Sequence, residues 1–368
     1  MSKQKIQLSD HFDYSRLLRF VLPCIGTMLF TSIYGIVDGL CVSNFVGKTA
    51  FAAVNLIMPV PMLVGSVGFM LGTGGSAIVG ITLGEGDREK ADRYFSLFVW
   101  TGLLAGIVLS AVGVLIVRPA AALLGAEGEM LDYAVRYGRL LMLSLPFFIL
   151  QNMFQSFFVT AEKPHLGFAF TVAAGVTNMV LDVVLVGMLH GGVEGAAIAT
   201  SLSNLVSALL ILTQLAKAKE GYRFRPKQTK IHRPTLTHIL GIGVPAAVES
   251  SMYAFSNLLI QVPINNLGTD AVAAWSATSK VDGIYWSLIV SFGVAIMAFV
   301  GQNYGAGKYD RMKASVKVCM QIAMGTTIVL SVLLIIFAKY CFLLFTDNPQ
   351  VIQYATQVVY YFAPFYFI

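Results

Sequence analysis

The chain has 368 residues, of which 57% are hydrophobic and only 12% are charged, and its formal net charge is +6. Soluble domains carry about 25% charged residues, so this composition excludes an ordinary soluble protein and indicates one that lies in a membrane. The four cysteines have no CxxC spacing and no histidine neighbours, so we expect neither a disulfide framework nor a zinc site. The polar N-terminal stretch lacks the pattern of a removable signal peptide.

Ten apolar segments follow one another along the chain. About 20 apolar residues cross a bilayer as a helix, and each segment approaches or exceeds that length. We predict spans near 20–46, 50–83, 95–117, 137–161, 166–188, 193–216, 239–267, 271–300, 316–345 and 351–368. Loops with Gly, Asp, Asn or Pro separate them. The predicted fold class is therefore all-α, a polytopic membrane protein.

Lysine and arginine are distributed unequally between alternate loops. If the N-terminus is cytoplasmic, nineteen of these residues fall inside and five fall outside, which is the positive-inside pattern. This predicts a multi-pass protein of the cell membrane with a cytoplasmic N-terminus. The same rule accounts for the basic run from Lys217 to Arg233, so we expect no nucleic-acid partner.

An internal repeat relates the two halves of the chain at an offset of 221 residues. The stretch GKTAFAAVNL at 47–56 aligns with GTDAVAAWSA at 268–277, and GITLGEGDREKADR at 80–93 aligns with GQNYGAGKYDRMKA at 301–314. Each copy starts on the inside and holds six helices. Such copies enter the membrane from the same side, which predicts two parallel six-helix bundles with a cleft between them.

The repeat predicts three parts of the chain. They are an N-terminal six-helix bundle at 1–217, a basic cytoplasmic linker at 218–236, and a C-terminal bundle at 237–368 that holds helices seven to ten. Continuing the offset predicts about 70 further residues in a complete second copy. The sequence is therefore interpreted as a C-terminally truncated piece of a twelve-helix protein.

Two acidic residues lie deep inside predicted membrane helices. At 1.5 Å per residue, Asp38 lies about 13 Å and Asp182 about 12 Å from the outer ends of their helices. Thr200 lies about 10 Å deep in the following helix, and Asn178 is one turn from Asp182 on the same face. A charge inside a membrane helix costs on the order of 3 kcal/mol, so we predict that these four side chains converge and are retained for function.

Such a cluster can hold a cation in two ways. Carboxylate and amide oxygens are hard ligands, so Asp38, Asp182 and Asn178 predict a Na⁺ site; alternatively, the two acids share a proton. Either arrangement is an ion-coupling site, and no cofactor beyond the coupling ion is expected. In a third interpretation the polar groups only bond to one another and lock the bundle, but two buried acids without a cationic partner make a poor lock.

Four stretches carry a resemblance to a known family. They are VDGLCVSNFVGKTAFAAVNLIMPV at 37–60, GEGDREKA at 84–91, TNMVLDVVLV at 177–186 and GVEGAAIAT at 192–200. Together with the doubled six-helix plan, they resemble the multidrug and toxic compound extrusion (MATE) transporters, and in particular the bacterial branch. The resemblance implies ion-coupling roles for Asp38, Asn178, Asp182 and Thr200. It also implies roles for Tyr34 and Asn152.

Amides and methionines in the membrane segments are candidates for substrate contact. Gln155 and Gln261 line the cleft or form helix-to-helix hydrogen bonds. Met153 belongs either to an adaptable, polarizable pocket or to the packed core. Both interpretations stay open at this point for each residue.

Glu249 is a further candidate near the predicted midplane. It either forms a structural salt bridge with Lys280 or, if Lys280 pairs with Asp282, contacts a cationic substrate. Some members of the resembled family carry a functional glutamate in helix seven. Glu249 follows Pro245 by only four residues, which is closer than the family spacing.

The predicted function is cation-coupled antiport, driven by H⁺ or Na⁺, that exports cationic or amphipathic drugs and toxic compounds by alternating access. The expected partners are small organic cations and the lipid bilayer, and a monomer is expected. One alternative is a lipid-linked precursor flippase of related architecture, although that activity favours a cationic cleft. Another is a membrane scaffold without transport. No nucleophile with an adjacent base is visible, so an enzyme is not expected.

Overall fold

The computed structural model describes residues 14–217, 224, 233–265, 267–343 and 346–366, and within them the chain forms helices without strands. The first half contains α1 (Tyr14–Phe45), α2 (Lys48–Ile57), α3 (Pro59–Gly84), α4 (Arg88–Leu123), α5 (Gly128–Leu143), α6 (Leu145–Thr160), α7 (Pro164–Asp182), a π-helical turn (Val183–Met188) and α8 (Gly192–Lys217). The second half contains α9 (Arg233–Asn265), α10 (Thr269–Gly305), α11 (Tyr309–Leu343), α12 (Pro349–Phe362) and a 3₁₀ turn (Ala363–Phe365).

Seven segments of the described chain are long and apolar enough to cross a membrane, and the bent pair α5 and α6 makes an eighth. Their outer faces are apolar; in α4, for example, Leu104, Ile107 and Leu115 are more than half exposed. Such faces contact lipid tails in a bilayer. The predicted class, an all-α polytopic membrane protein, is confirmed. Helices α9 and α12 lie where two further spans were predicted but do not meet the same requirement.

Prolines interrupt two of the predicted spans. The second span breaks at Met58, so that Pro59 begins α3. The fourth bends by 60° between α5 and α6, where Ser144 precedes Leu145 and Pro146. Proline has no N–H for the helix ladder and is tolerated in the first turn, which explains why new helices begin at these points.

Helix α3 is the centre of the fold, and it packs against α4, α6, α9 and α10. Its glycines permit close contact between helix backbones. A Cβ added to Gly68 would lie 2.7 Å from the carbonyl oxygen of Ile149 in α6, and one added to Gly72 would lie 2.9 Å from the Cα of Met153. Helices α3 and α6 therefore touch through their main chains.

Four aromatic rings fill the space between α4 and α6. Phe95, Phe98, Phe154 and Phe157 are all buried, and the ring centroids of Phe95 and Phe157 lie 4.5 Å apart. Phe95 and Phe154 meet edge to face, at an interplanar angle of 88°. Each such pair contributes about 0.5–1.5 kcal/mol beyond its buried area, so this cluster fixes α4 against α6.

The internal repeat is visible in the backbone. Gly47 and Gly268, which stand 221 residues apart, have φ of 123° and 97°, and Gly86 and Gly307 have φ of 85° and 68°. Helices α4 and α11 begin at matched positions, and so do α5 and α12. One difference is that α10 continues through Lys280, the position that matches Pro59.

The two ends of the bundle differ in charge. We call the end that holds the start of α1 and the turns at 85–87, 161–163 and 306–308 the basic end, and the opposite end the far end. Among the described residues, the basic end carries Arg19, Arg88, Lys90, Arg93, Lys163, Lys217, Arg233, Lys308, Arg311, Lys313 and Lys317, whereas the far end carries Arg118, Arg136, Arg139 and Lys339. The charge difference expected from the sequence is therefore reproduced between the two ends.

The halves meet toward the basic end. One buried cluster joins α1 to α10 and α11, and its members are Leu17, Phe20, Val21, Cys24, Val159, Phe292, Ala295, Ala298, Phe299, Cys319 and Ile322. The Tyr14 hydroxyl donates a hydrogen bond of 2.7 Å to Oε1 of Gln321. Helix α3 contacts both α9 and α10. The halves are therefore joined by packed side chains at this end.

We predict that Gly68→Ala destabilises the protein, because the new methyl group would press on the main chain of α6, which cannot move as a side chain does. Overpacking of this kind costs about 1–3 kcal/mol. The measurement is the thermal unfolding midpoint in detergent. Gly325→Ala in α11 is the control, since nothing lies within 4 Å of its added Cβ. Equal midpoints for both variants would contradict the close α3–α6 contact.

Candidate functional site

The carboxyl groups of Asp38 and Asp182 lie side by side, within hydrogen-bonding reach of each other if one is protonated. Asp38 is 7% exposed and Asp182 is fully buried. Asp38 belongs to α1, and Asp182 is the last residue of α7 before the π-helical turn. The two acids therefore lie together, as their similar depths in the sequence predict.

Glycines allow α1 and α7 to approach closely enough for this contact. A Cβ added to Gly175 in α7 would lie 2.5 Å from the ring of Phe30 and 2.8 Å from that of Tyr34, both in α1. Nearer the basic end, a Cβ on Gly26 would lie 3.0 Å from the Phe168 ring. Flat rings therefore pack on bare backbone along this helix pair, which keeps the axes close where the acids face each other.

Asn178, Thr200 and Tyr137 complete the polar cluster around the acids. The Asn178 amide nitrogen donates a hydrogen bond of 3.3 Å to the Thr200 hydroxyl. Tyr137 is fully buried, and its hydroxyl, which has no hydrogen-bond partner among the described residues, is near enough to Thr200 and the two acids to interact with them. Four helices, α1, α5, α7 and α8, therefore each contribute a polar side chain.

The cluster has more acceptors than donors. Oδ1 of Asp38, both carboxyl oxygens of Asp182 and Oδ1 of Asn178 are buried and accept no hydrogen bond. No ion pair in the described chain includes either acid. Buried acceptors normally have a partner, so these oxygens require a cation or a proton. Their chemistry fits a hard monovalent cation, held by Asp38, Asp182 and Asn178.

A cavity of about 190 Å³ opens beside Asp38. Its lining residues are Thr31, Tyr34, Gly35, Asp38, Met58, Pro61, Met62, Leu141, Ser144, Leu145, Phe148, Asn178, Thr200, Ser203 and Asn204. Asp38 is the one charged residue in this set. The cavity therefore presents a negative group in apolar and hydroxyl-bearing surroundings, which is a surface that attracts cations.

The other predicted contacts in the first half occupy different environments. Tyr34 lines the cavity as predicted. The Cβ of Asn152 faces α3 next to Gly68. Gln155 lines a smaller cavity where the halves meet, together with Ser291 of α10. Met153 is fully buried against Gly102 and Gly72, so the structure places it in the core instead of the cleft.

The second-half candidates are exposed and do not pair with one another. Glu249 and Lys280 are both exposed on their helices, and no salt bridge joins Glu249 to Lys280 or Lys280 to Asp282. Neither the Glu249–Lys280 pair nor the Lys280–Asp282 pair is therefore formed, and Asp282 interacts with a different group. Gln261 lies in α9, and its side chain is outside the described part of the chain.

Sequence reasoning missed Tyr137, Ser203 and Asn204. Tyr137 stands at the start of an apolar segment, where an aromatic residue usually marks the membrane interface. The 60° bend between α5 and α6 directs this part of the chain inward. Ser203 and Asn204 stand one turn after Thr200, so the helical period was the signal that could have found them.

Groups of three or more His, Cys, Asp or Glu that could hold a metal ion do not occur among the described residues. A polytopic helical protein with a membrane-buried acidic cavity between packed helices has the features of a membrane transporter.

Comparison with known families identifies the family to which this chain belongs. The MatE family profile matches residues 23–184 and 245–368. The chain belongs to the MATE family. Members of this family are membrane transporters and not enzymes, which confirms the predicted class of protein.

The relatives include bacterial proteins named for multidrug export or multidrug resistance. The multidrug export protein MepA of Staphylococcus haemolyticus is 23% identical over 358 residues, which cover 97% of this chain and 79% of the relative. The probable multidrug resistance protein YoeA of Bacillus subtilis is 24% identical, over 92% of this chain and 75% of the relative. A solved outward-facing multidrug resistance MATE family transporter of the MOP superfamily has a TM-score of 0.89 at 22% identity, and the match covers 98% of this chain and 80% of that one.

We predict that Asp182→Asn raises the thermal unfolding midpoint in Na⁺-free buffer at pH 8. The amide removes one of two adjacent carboxylates and can donate to the unpartnered oxygen of Asp38. A hydrogen bond to a charged group contributes about 1.5–3 kcal/mol. The control is Asp310→Asn, which changes an exposed carboxylate in the first turn of α11. A lower midpoint for Asp182→Asn alone would show that the acids already have cationic partners.

Proposed function

We propose that this protein is an antiporter that exports cationic or amphipathic drugs and toxic compounds in exchange for H⁺ or Na⁺. The observation that carries this proposal is the pair of buried acids, Asp38 and Asp182, with unpartnered oxygens beside a cavity. The similarity to a multidrug export protein and to a probable multidrug resistance protein supports the export of foreign compounds.

The coupling ion binds at the polar cluster of the first half. In the Na⁺ case, carboxylate oxygens of Asp38 and Asp182 and the amide oxygen of Asn178 hold the ion, and Thr200 orients Asn178 through its hydrogen bond. In the H⁺ case, one carboxyl donates to the other. Either cation removes the repulsion between α1 and α7, so its binding favours the state in which these helices are close.

The substrate and the ion act on the same helices. Tyr34, Phe148, Met58 and Met62 give the cavity an apolar and adaptable wall, and Asp38 gives it a negative charge. A volume of about 190 Å³ is below the roughly 300 Å³ at which pockets for drug-sized molecules begin. A drug therefore requires the cavity to widen, and this widening separates the groups that hold the ion. Ion and drug thus bias the protein toward opposite states.

The basic end is assigned to the cytoplasm by the positive-inside rule. The N-terminus then lies in the cytoplasm, and the far end faces outward in the cell membrane. The chain works as a monomer of two bundles, 1–217 and 237–368, joined by the linker at 218–236. Export proceeds from the basic end to the far end while the coupling ion moves inward.

Two other functions are less well supported. A lipid-linked precursor flippase needs positive charge for phosphate groups, whereas the described residues that line the cavity include no Lys, Arg or His. A scaffold without transport has no use for two buried acids, whose burial costs free energy. Neither alternative uses the acidic cavity.

The coupling proposal is tested by transport in proteoliposomes that carry the purified chain. We predict that Asp38→Asn and Asp182→Asn each lower gradient-driven transport of a fluorescent organic cation by roughly 5- to 150-fold, the usual range of coupling between two sites. Parallel assays with a pH gradient and with a Na⁺ gradient distinguish the two coupling ions.

The matched control for this assay is Asp310→Asn, which removes an exposed carboxylate remote from the cavity. Its transport should equal that of the unchanged protein. Gradient-dependent transport that persists in both acid variants would overturn the coupling role. Uptake of a lipid phosphate, with no response to organic cations, would favour the flippase.

Glu249 provides a separate test of substrate contact. It is exposed on α9, and a charge at this depth is stable only if it faces protein or water. We predict that Glu249→Gln raises the KM for the organic cation several-fold and leaves the dependence on the ion gradient unchanged. An unchanged KM would remove Glu249 from the substrate path.

A further inference from the structure

The glycines that join the halves are concentrated toward the basic end. Gly84 ends α3, Gly305 ends α10, and Gly243 lies in the first third of α9. Gly283, nearer the far end of α10, has nothing within 4 Å of an added Cβ, and the same holds for Gly293, which lies closer to the basic end. Among the glycines of α10, overlap with the main chain of the first half is thus confined to Gly305, the last residue of the helix.

The first close crossing joins α3 to α10. A Cβ on Gly84 would overlap the carbonyl oxygen of Gln302, and a Cβ on Gly305 would overlap the carbonyl oxygen of Ile81. The contact is reciprocal, and both Gly84 with Gly305 and Ile81 with Gln302 are matched positions of the repeat. The crossing therefore lies on the axis that relates the two halves.

The second close crossing joins α3 to α9. A Cβ on Gly74 would overlap the carbonyl oxygen of Ile239, and a Cβ on Gly243 would overlap that of Met70. This crossing is not repeated between α10 and α1, because the residue matched to Gly74 is Ala295, which packs with Phe20, Val21 and Cys24. Helix α3 thus makes both main-chain contacts with the second half.

Bare main chain at these points has a mechanical consequence. Dispersion contacts weaken steeply when atoms separate by 0.5–1 Å, and Cα–H to carbonyl contacts require the same closeness. At the two crossings the nearest atoms belong to the main chain, so the helices can part there without a change of rotamer, while the side-chain cluster of α1, α10 and α11 at the same end separates with them. The contact is therefore either closed or lost, as a gate requires.

We propose that the crossings Gly84–Gly305 and Gly74–Gly243 form the gate that closes the transport path at the basic end, and that one added methyl group holds this gate open. The inference rests on the alternating access proposed above. Gly84, Gly305, Gly74 and Gly243 act as positioning residues, because they set the separation of the halves and contact neither ion nor drug in this state.

The test measures the distance across the basic end. Spin labels are attached at Arg88→Cys and Lys308→Cys, two exposed positions just after the first crossing, in a chain whose Cys24, Cys41, Cys319 and Cys341 are replaced by alanine. We expect Gly305→Ala to shift at least half of the population to a longer distance. Gly84→Ala and Gly243→Ala should do the same.

Two glycines on the same helices provide matched controls. A Cβ on Gly301 would lie 3.6 Å from the nearest atom, the carbonyl oxygen of Ala77, and one on Gly241 would meet nothing within 4 Å. Gly301→Ala and Gly241→Ala should keep the parental distance distribution. Because the readout is a distance and not transport, its result is independent of whether the coupling proposal holds.

Three outcomes would overturn the gate. One is a parental distance distribution in folded Gly305→Ala and Gly84→Ala protein. Another is equal opening in the Gly301→Ala control. The third is loss of folded protein in all three of the Gly84, Gly305 and Gly243 variants, which would show that the crossings hold the fold together and do not open. A longer distance in the crossing variants alone supports the proposal.

Discussion

The repulsion between two carboxyl groups in the membrane interior is the constraint on which the first half depends. Asp38 and Asp182 belong to different helices, and Oδ1 of Asp38 and both carboxyl oxygens of Asp182 accept no hydrogen bond from the residues that the structure describes. Without a cation, this arrangement favours separation of α1 from α7; with one, it favours contact. The glycines and aromatic rings that line the two helices allow close approach without adding polar bonds that would fix it.

The repeat gives the two halves one plan and different chemistry. Pro23 and Pro245, early in α1 and α9, are 222 residues apart, one more than the offset of the repeat. The positions in α9 that correspond to Asp38 at offsets of 221 and 222 are Leu259 and Ile260. Both are apolar and exposed. The second half therefore has no acid at this level of its first helix. The coupling ion proposed to bind near Asp38 would act on one bundle only, which would make the motion of the halves unequal although their backbones match.

Helical geometry determined how much the sequence could predict. A fixed rise per residue gives depth, so the convergence of Asp38, Asn178, Asp182 and Thr200 could be found by counting. The rotation of each helix about its axis and the bends between helices are set by packing, so the sequence could not predict which side chains face the cavity and which face the core. For Met153 the sequence left both positions open, and the structure buries its side chain against Gly102 of α4.

The contacts at the basic end also show that the sequence does not predict how helices pack against each other. The alignment of Gly84 with Gly305 was visible in the sequence, where both were matched glycines of the repeat. Their contact with each other's helix was not visible, because a repeat relates positions within each copy and does not state how the copies cross. The structure adds the crossing, in which each of these two glycines lies against the main chain of the other helix.

Helix α3 takes part in both the cavity and the crossings. Its first residues, Pro61 and Met62, line the cavity beside Asp38, and its last residue, Gly84, touches α10. A straight helix of this length extends about 39 Å, so widening of the cavity that tilts its start also moves its end. The main-chain contacts at Gly74 and Gly84 have little tolerance for such movement. One continuous helix thus connects the acidic cavity with the main-chain contacts near the opposite end, and it is the physical link that the proposed gate requires.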